Sequence, residues 1–272
     1  MSRISLPSTS LDVAPDVTSN AMLAVFLPAL GLLLGELFLS AGLVQSALWV
    51  YVVILLFCTL LPLRVPSPVP VLAGFALLTV FRLVNLSMPV FLDLTVLWVP
   101  LVYAPFPLAG MWYLRRSEAV EPLLDPRGTL LWTPAAVVVG AVVGAVESRL
   151  VDVPSLLPTV TGDGLWLLGA VVVVGVIAEE VLLRGVLQSA LRRSVGPWFG
   201  VGTVAVVFAT MQAAFGGTAV ALALGAGVIY GLGYELSESL VVPIVCRGTV
   251  NLSLMVVLPA VSAGVVPALP LA

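Results

Sequence analysis

Residues 165–191 read LWLLGAVVVVGVIAEEVLLRGVLQSAL. A bilayer core about 30 Å thick takes roughly 20 helical residues, so this run of 27 is long enough to cross one. It holds three charged side chains, Glu179, Glu180 and Arg184. Charges at such depth are costly and point to a functional site. Eight further stretches are similarly apolar, at about 21–43, 46–63, 68–91, 94–114, 130–148, 197–214, 217–234 and 239–262. Runs this long and continuous make helices, not the alternating strands of a membrane barrel. The expectation is an all-α, polytopic membrane protein with about 8–9 transmembrane helices.

The composition agrees. Of 272 residues, 61% are hydrophobic and 9% charged, whereas a soluble domain has about 45–50% apolar residues and a quarter charged. Mean hydropathy is +1.20. An ordinary soluble enzyme and a disordered chain are both excluded. All 11 basic residues are arginine, there is no lysine or histidine, and the net charge is −3. With no basic block, nucleic acid is not expected as a partner. The acidic, lysine-free composition suits a halophile. Cys58 and Cys246 sit inside apolar runs, so no disulfide framework is indicated. Without histidine, no metal site and no cofactor are expected. Membrane lipids surround the chain, and a membrane peptide or protein is the partner to look for.

Residues 1–20 form a polar tail with one positive charge, Arg3, and no apolar core directly behind it; this is not the pattern of a cleaved signal peptide. N-terminal transmembrane helices follow over 21–114, a charged loop over 115–129, a membrane core over 130–262 and a tail over 263–272. Placing the N-terminus in the cytoplasm puts Arg3, Arg64, Arg115, Arg116, Arg127, Arg192 and Arg193 inside and only Arg149 outside, as the positive-inside rule asks of a cell-membrane protein. Glu36 and Arg82 then lie at similar depth, roughly 21–23 Å at 1.5 Å per residue, and are expected to pair because an isolated charge there is expensive. Gly140/Gly144, Gly196/Gly200 and Gly227/Gly231 have the spacing that lets helices approach closely. There is no internal repeat of the kind transporters show, which weighs against a small transporter.

The polar residues of the later spans fall into three sets. Glu180 and Arg184 are four apart with the acid first, which suits an intrahelical ion pair. Glu179 points about 100° away, leaving it free for other work. Phe208 and Gln212 share a face of the seventh span, and Arg247 and Asn251 a face of the ninth. In order, these sets resemble Glu-Glu-x-x-x-Arg, Phe-x-x-x-His and His-x-x-x-Asn, the motifs of the CAAX protease and bacteriocin-processing (CPBP, or Abi) intramembrane proteases, a family that includes the Ras-converting CAAX endopeptidase. Glu238–Ile244, before the third motif, is also similar to that family. The resemblance covers roughly residues 165–255 and none of the first four spans.

The resemblance implies roles. Glu179 would activate water, Glu180 and Arg184 would form a structural pair, and Asn251 would support the oxyanion. Gln212 stands where the family has its second-motif histidine, and Arg247 where it has the third-motif histidine. Gln can position water but has no proton to exchange near neutral pH. Arg247 could stabilise an oxyanion, or pair with Glu179 and hold it ionised. Losing acid–base assistance typically costs about 10²–10⁴ in rate. The reading is a divergent, degenerate member acting as a membrane scaffold or peptide-binding subunit; the alternative is a glutamate endopeptidase acting on peptides or prenylated C-termini. In either case Glu179, Glu180, Arg184, Gln212, Arg247 and Asn251 are expected to meet in one polar pocket, open toward the cytoplasmic half or the middle of the membrane, because lipid rejects each polar face.

Overall fold

The computed structural model describes residues 19–64, 69–87, 103–116, 125–151 and 163–257. These residues are helical apart from short connections. In chain order the helices are α1 (Ser19–Ser40), α2 (Val44–Leu60), α3 (Val69–Ser87), α4 (Pro105–Arg116) and α5 (Pro126–Leu150). α6 runs as Asp163–Glu180, widens through a π turn at Val181–Gln188 and returns to α geometry at Ser189–Val195. α7 (Pro197–Thr210), α8 (Gly217–Ser237) and α9 (Val241–Leu252) follow, the last continued by a π turn at Ser253–Val257. Among the described residues, five helices are long and apolar enough to cross a membrane: Met22–Ser40, Val44–Leu63, Val69–Leu86, Pro126–Leu150 and Gly217–Ser237. The all-α membrane fold read from hydropathy is the observed one.

Differences lie at the ends. The first part of the expected fourth span, 94–102, falls outside the described residues, as does most of the 149–164 connection. α5 starts earlier than expected, because Asp125 caps it through bonds from the Arg127 and Gly128 amides and Pro126 fits the first turn. α6 runs past the expected stop at residue 191 through Arg192 and Arg193, and ends where Gly196 turns the chain at φ 105°. α7 stops at Thr210, not 214, so Gln212 lies in the turn beyond it.

Consecutive helices joined by short turns run antiparallel, which gives the bundle two ends. One end carries the 61–64 and 238–240 turns, Gly196, the end of α4, the start of α5 and most of the arginines. The other carries the 41–43 and 211–216 turns, the end of α5 and the start of α6. α5 and α9 run parallel and meet closely. A Cβ at Gly140 would lie 2.9 Å from Thr249 Cβ and run into the Cys246 carbonyl; one at Gly144 would lie 3.1 Å from Ser253 Cβ. Gly227 packs the same way on Ala205 and Phe208, Gly231 on Val201 and Gln188, and Gly200 on the Arg192 and Gln188 backbone. Gly196 makes no such contact; it is a turn residue.

One apolar core runs from Ala24 to Leu254 across the early and late helices. α3 rests on α6 where a Cβ at Gly74 would be 3.2 Å from Leu187, and Phe26 of α1 meets Phe199 of α7 edge-on at 6.2 Å. Near the second end, Arg82 holds both oxygens of buried Glu36 at 2.6 Å, and the Tyr51 hydroxyl donates to Glu36 at 2.8 Å. The expected intramembrane pair is therefore formed. Tyr51 adds a third bond that neither hydropathy nor spacing announced.

Candidate functional site

Glu179 is 16 residues from either end of α6, about 24 Å at 1.5 Å per residue. It faces a cavity of about 400 Å³ between α5, α6, α7, α8 and α9. That is within the size range of small-molecule sites. The walls are mostly apolar and aromatic, and Glu147, Gln212, Arg247 and Asn251 reach the cavity with Glu179.

Arg247 organises the floor. Its guanidinium donates to Glu180 Oε1 at 2.8 Å and, through the other terminal nitrogen, to Glu179 Oε2. Glu180 Oε1 also accepts from Arg184 at 3.0 Å, the expected pair four residues apart. Glu180 and Arg184 are fully buried and lie behind the cavity wall. Arg184 also donates to the Gly227 carbonyl at 3.2 Å, which the absence of a side chain on Gly227 allows. The Phe208 ring lies between the two cations, 4.5 Å from the Arg247 guanidinium carbon and 5.5 Å from that of Arg184. Tyr230 flanks Arg184 at 5.5 Å. A ring face beside a desolvated cation is favourable, so Phe208 stabilises both guanidiniums.

The six residues read from sequence divide into two groups. Glu179, Gln212, Arg247 and Asn251 line the cavity; Glu180 and Arg184 sit behind it. Convergence on one polar centre is as expected, but Glu179 is not free. The helical-wheel argument separated it correctly from Glu180, and a guanidinium from another helix then reached both. Gln212 arrives from the turn after α7, not from a helical face. The side chains of Gln212 and Asn251 make no hydrogen bond within the described residues.

Sequence reasoning missed Glu147. It lines the cavity near the end of α5 and lies within electrostatic reach of Arg247. The signal was present: Gly140, Gly144 and Glu147 follow i, i+4, i+7 on one face of a helix. The two glycines put that face against α9, so the carboxylate emerges beside Asn251's helix. A second missed network ties α6 to α8 at the arginine-bearing end. There the Gln188 amide donates to the Gly231 carbonyl at 3.1 Å and to Glu235 at 2.9 Å, and Arg192 pairs with Glu235 at 3.4 Å.

The cavity runs from mid-helix toward the end that carries the 211–216 turn, away from most arginines. With those arginines cytoplasmic, it occupies the middle and outer half of the bundle, and of the two openings expected, the middle of the membrane is the one this placement fits.

Residues 161–253 match the family model of type II CAAX prenyl endopeptidase Rce1-like proteins. The segment contains all six residues read from the motifs and most of the cavity. The resemblance read from the three motifs is borne out over it. Glu147 and the first five helices lie outside the match. No curated protein and no solved structure matches the chain.

Proposed function

We propose that this CAAX-protease-like membrane protein keeps the cavity of an intramembrane protease without its hydrolysis, and serves as a membrane scaffold or peptide-binding subunit. One observation carries the reading: Arg247, at the position of a motif histidine, binds Glu179 and Glu180 together. A carboxylate that is to take a proton from water works best with a basicity near the working pH. Glu179 instead accepts from a guanidinium that never gives up its charge. The chain has no imidazole, so the histidine that assists the glutamate in the family's motif set is missing.

The test is incubation of the purified protein in lipid nanodiscs with a library of prenylated and unprenylated peptides, read by mass spectrometry. No cleavage is expected, while photo-crosslinkable peptides should label cavity residues. Cleavage by the parent that disappears in Glu179→Ala would reverse the reading in favour of an active glutamate endopeptidase.

A further inference from the structure

We infer that the cavity takes an amphiphilic cation, a protonated amine on a compact apolar body, and that Glu147 is the residue that receives its charge. The inference rests on the reading that the cavity binds without cutting, and it deepens that reading by naming what is bound.

The first observation is the charge arrangement. Three carboxylates, Glu147, Glu179 and Glu180, meet two guanidiniums, Arg184 and Arg247. Both arginines are committed: Arg184 to Glu180, and Arg247 to Glu179 and Glu180. The Glu147 carboxylate makes no hydrogen bond within the described residues and feels Arg247 only at a distance. With every group ionised the set carries one negative charge, and it belongs to the carboxylate nearest the mouth. An anionic ligand would have to take Arg247 from two glutamates, leaving Glu179 uncompensated and the fully buried Glu180 with Arg184 alone. That argues against a carboxylate or phosphate at the floor.

The second observation is the wall. Phe208, Tyr230, Leu222, Val250 and Leu254 line the space between Glu147 and the floor. Such a surface rewards an apolar body and adds ring faces for a cation. A cavity of about 400 Å³ has room for an aryl or short alkyl group. The chemistry is that of an ammonium head at Glu147 with its apolar body pointing inward. A free amine and the amino end of a membrane peptide share it.

The experiment uses the full chain in nanodiscs and three probes of one shape: phenethylammonium, phenethyl alcohol and hydrocinnamate. Saturable binding is read by ligand-observed NMR with isothermal titration. Phenethylammonium should bind best. Glu147→Gln should weaken it about tenfold or more, the usual scale for losing a hydrogen bond to a charged group, with an unchanged melting temperature. A short peptide with a free amino terminus, against its acetylated twin, separates the two sources of the ammonium. Hydrocinnamate binding more tightly than the amine, equal binding of the alcohol, or an unchanged affinity in Glu147→Gln would each overturn the proposal. Peptide cleavage is a separate readout: a protein that cleaves yet binds the amine through Glu147 would defeat the non-hydrolytic reading and leave this one standing.

Discussion

Arg247 holds two carboxylates, and its neighbours predict how much each contact matters. Removing one member of a buried ion pair commonly costs about 3–5 kcal/mol. Arg247→Ala should fall near the lower end, because Glu180 keeps Arg184 and the Glu179 side chain, 21% exposed, can be hydrated from the cavity. Glu180→Ala should lose more than Glu179→Ala, since it strips two arginines of a fully buried partner. Thermal shift in detergent ranks the three, and an Arg247→Ala protein as stable as the parent would refute the pairing. Glu179→Gln with Arg247→Met should recover part of the loss, because both charges leave together. The same residue explains a kinetic expectation. Gln212→His alone should not create proteolysis, as Arg247 still occupies Glu179. Only Gln212→His with Arg247→His restores the family's motif set, and cleavage of a prenylated peptide by the single variant would show that Arg247 is no obstacle.

At the scale of the element, the contact of α5 with α9 sets the shape of the cavity. Gly140 has the Cys246 carbonyl and Thr249 against it, so Gly140→Val must push the helices apart. Overpacking of this kind costs about 1–3 kcal/mol, and it should also weaken ligand binding by displacing Glu147. Gly175 of α6 has nothing within 4 Å of where a Cβ would be. There Gly175→Ala should be neutral or stabilise by up to about 1 kcal/mol through helix propensity. Melting temperatures of the two variants should move in opposite directions or differ sharply. Equal shifts would mean that close approach at Gly140 is not what holds α5 and α9 together. On α1 and α3, Arg82→Ala should cost about 3–5 kcal/mol, since it leaves Glu36 buried with only Tyr51. Adding Glu36→Leu should restore much of it.

For the whole molecule, the arginines and the cavity occupy opposite ends of the bundle, and sidedness can be measured. With the arginine-bearing end cytoplasmic, Ser194→Cys should react with a membrane-impermeant maleimide only from the cytoplasmic side, and Ser40→Cys only from the other. The reverse pattern would mean that the positive-inside bias is overridden and that the cavity faces the cytoplasm. The solvent, the helices and the local chemistry were legible in the residues alone. Hydropathy and helical period are properties of a few consecutive residues, so 165–191 was legible as a span and Glu180 with Arg184 as a pair. Glu36 and Arg82 could be matched by depth, because a charge in lipid needs a partner at its own level. Which cation meets which carboxylate depends on how the helices pack. Arg247 reaches Glu179 and Glu180 because α9 lies against α6, and Glu147 joins them because two glycines seat α5 on α9. Lipid is as apolar as the helices it surrounds, so hydrophobicity does not encode helix neighbours. The close fit of small residues and the need to satisfy buried charge do, and both depend on the whole bundle.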